Sequence, residues 1–207
     1  SDTVIITSGI ARKPGQSRLE LAQVNVDIMK NIIPNLERYV PEATFVIVSN
    51  PVDILTYVFN KVSSIPEDKI IGSGTILDTS RLREALAQRY SVNAQNIHAC
   101  VFGEHGDSSF VPWSMVNVSN IPVEKFDERA VAQGRCSTPL DKDEIEKYVR
   151  DSGGKIIGCK GATYYAIAMS VCHMCKCIFS NTDTILPVST MLHGEYGIDG
   201  VCLSTLN

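Results

Sequence analysis

The sequence lacks three features that would each assign a protein to a broad class. It has no basic excess, since 19 lysines and arginines stand against 23 aspartates and glutamates for a formal net charge of -4. Nucleic-acid-binding proteins usually carry a basic patch, so nucleic acid is not an expected partner. No apolar run reaches the roughly 18–20 residues that span a bilayer, and the amino terminus has no signal-peptide layout. The sequence therefore predicts a soluble, cytoplasmic protein that binds neither nucleic acid nor membranes.

A disulfide or metal framework is also missing. The chain has seven cysteines, an odd number, and most lie in apolar segments such as 99–101 and 201–203, so reduced thiols are expected. The cysteine-rich segment 172–177 has no second ligand pair at zinc-site spacing. We interpret it as a helix with Cys172 and Cys175 on its core side, and we predict no metal.

What the sequence has, in its first third, is an alternation of strand and helix patterns. Strands are predicted at residues 3–7, 44–48 and 69–72. Helix patterns separate them, one over 19–39 with a kink at Pro34 and one that starts after Asn50-Pro51. This alternation is typical of a parallel α/β sheet.

The pattern changes after residue 73. The predicted elements are a helix at 78–90, β-rich pieces at 97–102 and 110–118, helices at 141–151 and 155–179, and a β-rich region from Ile185. No repeat or low-complexity linker is present. The second part of the chain is therefore predicted to be a separate, mixed α+β domain.

The segment 103–109, Gly-Glu-His-Gly-Asp-Ser-Ser, carries the clearest chemistry. It places the imidazole of His105 between two glycines, just after a predicted strand, where a ligand can approach closely. An imidazole exchanges protons near neutrality, so His105 is a candidate acid–base group. A turn histidine without chemistry explains the heptapeptide equally well, and the other motifs decide between the two.

Four segments together resemble the lactate/malate dehydrogenase superfamily. They are residues 11–18 (Ala-Arg-Lys-Pro-Gly-Gln-Ser-Arg), 48–53 (Val-Ser-Asn-Pro-Val-Asp), 77–81 (Leu-Asp-Thr-Ser-Arg) and 103–109. Each is weak alone, but in this order and spacing they form a strong match that covers essentially the entire chain and is most similar to the bacterial L-lactate dehydrogenase branch. The resemblance implies the second half of an NAD-binding Rossmann domain over 1–73 and a truncated substrate domain over 74–207.

The resemblance also implies residue roles. His105 would transfer the proton, with Asp78 rather than the nearer Asp107 as its anionic orienter, and Arg18 would close over the substrate and polarise its carbonyl. Arg81 lies three residues after Asp78, so on one helix both would face the same cleft, where a guanidinium can bind the substrate carboxylate. The implied substrate contacts are Arg12, Arg18, Asn50, Arg81 and Thr163, and the implied cofactor contacts are Thr7, Gly9, Val48, Asn50 and Ser73.

Each of these residues also has an ordinary structural interpretation. The arginines can be solvated charges at helix starts, and Thr163 can be a helix-interior threonine bonded to its own backbone. The resemblance further implies a homotetramer that binds fructose 1,6-bisphosphate through Arg83 and His98. For these two residues the alternatives are a solvated helix charge and a satisfied strand histidine.

The chain departs from the family pattern in two places. The Gly-x-Gly-x-x-Gly turn of a dinucleotide site is absent, since Gly72-Ser73-Gly74 has no third glycine,. We therefore expect a fragment that begins at the fourth strand of the fold and stops before its terminal helix. Arg12 stands where lactate dehydrogenases commonly have glutamine, and an arginine there suits the second carboxylate of malate. Glu104, Trp113 and the run 52–57 favour lactate.

The expected function is the NAD-dependent interconversion of (S)-lactate and pyruvate, a small 2-hydroxy acid and its 2-oxo acid. Malate dehydrogenase is the alternative that Arg12 keeps open, and a noncatalytic binding module is the one favoured by the missing glycine turn. A metal-dependent hydrolase built on His98, His105 and Asp107 is a more distant possibility, because these residues do not have the spacing of a ligand set.

Overall fold

The computed structural model describes residues 1–10, 18–180 and 182–207, with only the backbone of 18–20. Its helices are α1 (Arg18–Tyr39), α2 (Val52–Val62), α3 (Ile76–Tyr90), α4 (Val123–Ala132), α5 (Lys142–Lys160) and α6 (Tyr165–Ser180). Its strands are β1 (Thr3–Ile6), β2 (Thr44–Ile47), β3 (Ile70–Gly72), β4 (Ile97–His98), β5 (Asn117–Val118), β6 (Ile121–Pro122), β7 (Pro187–His193) and β8 (Asp199–Leu206). The chain forms two compact units, which we name unit 1 (Ser1–Gly74 and Thr184–Asn207) and unit 2 (Thr75–Asp183).

Unit 1 is built on a five-stranded sheet in the order β1-β2-β3-β7-β8. The first three strands are parallel, as the alternation of strand and helix patterns predicts. β7 then pairs antiparallel with β3 through Ser189 and Gly72, and β8 pairs antiparallel with β7. The predicted α/β fold class with a parallel sheet is confirmed, and the sheet also takes two strands from the other end of the chain.

The core of unit 1 explains why β2 has no polar side chain after its first residue. Phe45, Val46 and Ile47 are all fully buried, because a central parallel strand is covered on both faces. The ring of Phe45 lies 5.0 Å from that of Phe59 on α2. At the end of β3, a side chain on Gly72 would collide with the Thr56 hydroxyl, so the close packing of α2 on this strand requires glycine.

Unit 2 contains a small antiparallel sheet in the order β4-β5-β6 and four helices. Its core joins Leu82 and Leu86 of α3 to Ile97, Val118 and Val149. Helix α4 is an element that the sequence analysis missed. Its buried residues are Val123, Asp127 and Ala130, so an aspartate occupies a core position and hides the apolar period of the helix.

The predicted helix over 155–179 is wrong. Residues up to Lys160 belong to α5, which ends where Gly161 takes a left-handed backbone conformation with φ of 82°. Glycine adopts this conformation without steric cost, and it commonly ends helices. Helix α6 starts only at Tyr165, so Thr163 lies in the connection and the helix-interior alternative for it is wrong.

The prediction that Cys172 faces the core is also wrong. The buried residues of α6 are Ser170, Val171 and Met174, a face that turns Cys172 into solvent. Cys175 is partly buried, and this burial raises the pKa of its thiol. All seven cysteines are unbridged, and within the described residues no group of three or more His, Cys, Asp or Glu side chains could hold a metal ion.

None of the described helices combines the length and apolar character needed to cross a membrane. The division into domains of residues 1–73 and 74–207 stays a prediction, and the compact units differ from it by assigning residues 184–207 to unit 1.

Candidate functional site

The loop that carries His105 is closed at its base by a short β-bridge. The backbone N–H of Phe102 donates to the Phe110 carbonyl at 2.9 Å, and the Phe110 N–H donates back at 3.1 Å. Gly103 begins the loop with φ of +91°, a conformation that side chains rarely adopt,. Residues 103–109 therefore form a loop whose two ends are joined by this bridge, and His105 lies near the tip of the loop.

His105 is paired with Asp78. The Nδ1 atom of His105 lies 2.6 Å from Oδ2 of Asp78, and the side chains are 27% and 7% exposed respectively. A carboxylate that accepts from Nδ1–H fixes the tautomer of the ring and stabilises the imidazolium form. Proton exchange with a ligand would then fall to Nε2. The structure thus brings together the two residues that the sequence analysis paired across 27 positions.

Arg81 binds the other oxygen of the same carboxylate. Its Nη1 donates to Oδ1 of Asp78 at 3.0 Å, across one turn of α3, and its side chain is 14% exposed. Asp78 lies in the first turn of α3, where the helix dipole favours a negative charge. Because Asp78 engages only one nitrogen of the guanidinium, the Nε and Nη2 edge of Arg81 has the geometry to bind a carboxylate.

Other residues hold the loop in shape. Ser109 donates from its hydroxyl to the Gly106 carbonyl at 3.0 Å, and its own carbonyl accepts from Nη1 of Arg150 on α5 at 3.0 Å. Ser108 donates to the Glu104 carboxylate at 2.5 Å. Asp107 is exposed, and the carboxylate against His105 is that of Asp78. Sequence reasoning missed Arg150, which lies 41 positions from Ser109.

In unit 1, the residues assigned to the cofactor follow the ends of three parallel strands. Thr7 and Gly9 follow β1, Val48 and Asn50 follow β2, and Ser73 follows β3. The N–H of Val48 donates to the Ile6 carbonyl at 2.9 Å and that of Ser73 to the Ile47 carbonyl at 2.8 Å, so the pairing continues past the strand ends. The carboxyl edge of a parallel sheet is the usual ligand site of open α/β folds.

Asn25 on α1 is a second residue that sequence reasoning missed. It is 1% exposed, and its side-chain oxygen accepts from the Ile10 N–H at 2.8 Å while its Nδ2 donates to the Asn50 carbonyl at 2.7 Å. A buried amide must satisfy its donors and acceptors, and Asn25 does so by tying together the segments after β1 and β2. A polar residue among apolar ones in a helix pattern was the available signal.

Besides Asn50 and Arg81, three further residues stay predictions as substrate contacts. Arg12 lies outside the described residues. Arg18 is the first residue of α1, and its side chain lies outside them too. Thr163 is exposed in the connection between α5 and α6.

The proposed effector residues lie on neighbouring elements of unit 2. Nε of Arg83 donates to the Ala99 carbonyl at 2.9 Å, one residue past His98, which is exposed on β4 opposite Asn117. Burial raises the pKa of the adjacent Cys100 thiol, and the Arg83 guanidinium offsets part of this effect. Arg83 is thus bonded to the backbone next to His98 rather than being only a solvated helix charge.

The donor set at the strand ends of unit 1 fits one end of a dinucleotide. Backbone groups and the exposed amide of Asn50 can meet a carboxamide or ribose, since they lie at the edge where such ligands bind,. The sequence has no glycine-rich turn for a pyrophosphate. The described residues therefore suit the nicotinamide half of NAD.

Two family models match almost the entire chain. Residues 1–72 match the lactate/malate dehydrogenase NAD-binding domain, and residues 75–206 match the lactate/malate dehydrogenase alpha/beta C-terminal domain. Among curated relatives, the chain is 42% identical over 204 residues to L-lactate dehydrogenase of Acetivibrio thermocellus and 44% identical over 205 residues to that of Thermoanaerobacterium saccharolyticum. Each alignment covers 99% of this chain.

Solved structures give the same result. A lactate dehydrogenase from a Medee basin deep-sea metagenome library matches all of the chain with a TM-score of 0.90 and 35% identity. The minor L-lactate dehydrogenase of Enterococcus mundtii matches it with a TM-score of 0.90 and 34% identity. The chain spans 63% and 65% of the length of the two curated relatives, and 65% and 64% of these two structures.

Proposed function

Because the chain belongs to the lactate/malate dehydrogenase family, we propose that it carries the proton-transfer centre of an NAD-dependent dehydrogenase that interconverts (S)-lactate and pyruvate. The observation that carries the proposal is the single carboxylate of Asp78, which lies 2.6 Å from Nδ1 of His105 and 3.0 Å from Nη1 of Arg81. A base, its orienter and a cation for the substrate carboxylate are the groups that this reaction needs from the protein.

Each of the three groups has a defined task in the oxidation of lactate. His105 accepts the hydroxyl proton at Nε2 while the hydride leaves C2 of the substrate. Asp78 stabilises the imidazolium that results, because it already accepts from Nδ1–H. Arg81 binds the substrate carboxylate and so orients C2. NAD, when bound, supplies the acceptor for the hydride. In pyruvate reduction, the imidazolium of His105 returns the proton to the carbonyl oxygen.

The remaining assigned residues complete the proposal. Thr7, Gly9, Val48, Asn50 and Ser73 would contact the cofactor at the strand ends of unit 1, and Asn50 would also contact the substrate. Arg18 would stabilise the developing charge on the substrate oxygen, and Thr163 would line the substrate pocket. The support for these assignments is the family pattern together with the shared strand-end position of the first five.

The test is the reduction of pyruvate with NADH by the chain, or by a longer protein that carries it, in parallel with a His105→Asn variant. We expect His105→Asn to lower the rate by about 10²–10⁴-fold, because the acid–base group is lost. His173→Asn serves as the matched control, since His173 is an exposed histidine on α6 of the same unit. A His105→Asn protein within a few-fold of its parent would remove His105 as the base.

Substrate choice separates lactate from malate. Arg12 could meet a second carboxylate, so we expect Arg12→Gln to lower kcat/KM for oxaloacetate selectively, by about 1.5–3 kcal/mol of transition-state binding. The unsubstituted protein should prefer pyruvate. A preference for oxaloacetate would instead identify the protein as a malate dehydrogenase. Folded protein that reduces neither acid while its full-length relatives do would favour the noncatalytic module.

We also propose that the parent enzyme is a cytoplasmic homotetramer activated by fructose 1,6-bisphosphate at Arg83 and His98. The position of Arg83 beside the backbone next to His98 supports a site with converging cations,. The effector should lower the apparent KM for pyruvate and favour the tetramer in sedimentation. No change in either quantity at millimolar effector, with activity present, would exclude this regulation.

A further inference from the structure

Thr75, the N-cap of α3, and Thr79, on α3 itself, bind both backbone polar groups of Val101. The Val101 N–H donates to Oγ1 of Thr79 at 2.9 Å, and the Thr75 hydroxyl donates to the Val101 carbonyl. All three residues are buried. Segment 99–101 follows β4 and precedes the Phe102–Phe110 bridge, so Val101 receives from threonine side chains the hydrogen bonds that a neighbouring strand would normally supply.

We name this pair of contacts the threonine clamp and note where it lies on the helix. Thr75 and Thr79 are four residues apart, so they lie on one face of α3 at successive turns. Thr75 occupies the N-cap position, yet its hydroxyl makes no cap hydrogen bond with the helix. Its bond to the Val101 carbonyl replaces the usual capping role of a threonine.

The threonine clamp connects the two halves of the His105–Asp78 pair. Asp78 immediately precedes Thr79 on α3, and His105 follows Val101 by four residues. The same helical turn therefore holds the carboxylate and the backbone of the segment that leads into the histidine loop. Arg83, one turn further, adds a bond to the Ala99 carbonyl. Segment 99–101 is fixed along α3 at three consecutive turns.

We propose that Thr75 and Thr79 are positioning residues that hold His105 at hydrogen-bond distance from Asp78. This inference rests on the proposed function in one respect, that the His105–Asp78 pair is the proton-transfer centre. The 2.6 Å contact tolerates little displacement, and misplacement of reacting groups by about 1 Å can cost about a hundredfold in rate. Replacing a buried residue that only supports packing would not change the distance between His105 and Asp78 in particular.

The experiment compares removal of the hydroxyl with its retention. Thr75→Val and Thr79→Val keep the shape of the side chain and lose the hydrogen bond, whereas Thr75→Ser and Thr79→Ser keep the hydroxyl. Ser80→Ala is the matched control, because Ser80 is exposed and its hydroxyl bonds within α3, to the Ile76 carbonyl at 3.1 Å. Folding of every variant is checked by circular dichroism and thermal melting.

Two measurements report the position of His105. The first is the far-downfield proton NMR signal of Nδ1–H in the short bond to Asp78, recorded on the chain itself without substrate. The second is the steady-state rate of pyruvate reduction. We expect the valine variants to lose or shift the downfield signal and to lower kcat by about ten- to a hundredfold, with KM changed by less than about threefold. The serine variants and Ser80→Ala should match the parent.

Folded valine variants that keep both the signal and kcat would overturn the proposal, as would an equal loss in the serine variants. Should Thr79→Val fail to fold, Thr75→Val decides, since it leaves a carbonyl rather than an N–H without its partner. The NMR signal needs no activity. A clamp-dependent signal in a protein that never reduces pyruvate would therefore reject the proposed function and retain the positioning role.

Discussion

At the scale of single residues, Asp78 carries more of the site than any other side chain. One oxygen accepts from His105 and the other from Arg81, so the carboxylate serves the proton-transfer group and the substrate cation together. It is buried, and a buried charge is tolerated because both of its oxygens are paired. A neutral amide of the same shape cannot accept from both partners, because one end of it is a donor.

We therefore expect Asp78→Asn to lower kcat for pyruvate reduction by about 10²–10⁴-fold, as the imidazole loses its orientation and the stabilisation of its charged form. Asp107→Asn is the matched control, since Asp107 is an exposed carboxylate in the histidine loop. Steady-state kinetics of both variants provide the check. Equal damage from the two substitutions, or greater damage from Asp107→Asn, would contradict the assignment of Asp78 as the orienter.

At the scale of elements, α5 shows how a local signal sets a helix boundary. The Asp141 side chain accepts from the Glu144 N–H at 3.0 Å and so caps the first turn. The helix ends at Lys160, because the next residue, Gly161, takes a left-handed conformation. Between these ends, Arg150 reaches the Ser109 carbonyl of the histidine loop. One helix with locally determined ends thus carries a residue that supports the histidine loop.

Removal of the cap should destabilise unit 2. We expect Asp141→Ala to lower the free energy of unfolding by about 1 kcal/mol, the usual worth of an N-cap side chain. Trp113, the one tryptophan of the sequence, belongs to unit 2 and reports its unfolding by fluorescence in urea. Asp151→Ala is the control within the same helix, because the pair that Asp151 forms with Lys147 is exposed and should contribute little,. Equal effects of the two substitutions would show that the cap bond contributes nothing.

Elements with a clear local pattern were predictable, and those that depend on distant partners were not. The parallel strands of unit 1 followed from runs of β-branched residues, and the start of α2 followed from Asn50-Pro51. Helix α4 was not predicted, because Asp127 occupies a core position, where it is paired with Arg89 from α3. Gly161 ends α5 because its φ is positive, and the presence of a glycine in the sequence does not by itself specify that angle.

The same division holds for the candidate site. His105 was recognisable from its glycine-flanked segment, and its pairing with Asp78 came from family resemblance rather than from spacing. Arg150 and Asn25 were not predictable, because each binds backbone groups of segments far away in sequence. A residue of any type can form a hydrogen bond through its backbone, so its identity does not reveal the partner. The donors to such backbone groups are visible only once the fold is known.

At the scale of the whole molecule, the two units differ in how the chain builds them. Unit 2 is one continuous segment, whereas the sheet of unit 1 takes β1, β2 and β3 from one end of the chain and β7 and β8 from the other. Pairings between distant segments form slowly, because the chain must close a long loop first. Unit 2 comprises a single stretch of 109 residues, Thr75–Asp183, and this stretch contains Trp113.

Asp127 links three parts of unit 2. Its Oδ1 accepts from Arg89 at 2.7 Å and from the Tyr90 hydroxyl at 3.0 Å, and its Oδ2 accepts from the Leu140 N–H at 2.8 Å. Burial raises the pKa of Asp127, but the hydrogen bonds from Arg89, Leu140 and Tyr90 outweigh it and hold the pKa below its usual value. The folded state therefore binds this proton less readily than the unfolded chain does.

The sign of the pH dependence follows from this depressed pKa. The stabilisation by Asp127 is complete above the unfolded pKa of about 3.9 and is lost as the pH falls through the lower folded value. We expect the urea concentration at the unfolding midpoint of unit 2, followed by Trp113, to decrease when the pH is lowered below about 4. Asp127→Asn should remove the part of this decrease that Asp127 causes, and it should lower the free energy of unfolding at pH 7 by about 3 kcal/mol. Glu124→Gln is the matched control: Glu124 also has a lowered pKa, from an ion pair with Lys142, but that pair is exposed and should contribute little,. An Asp127→Asn protein with the acid profile of its parent would mean that other carboxylates set the acid stability of unit 2.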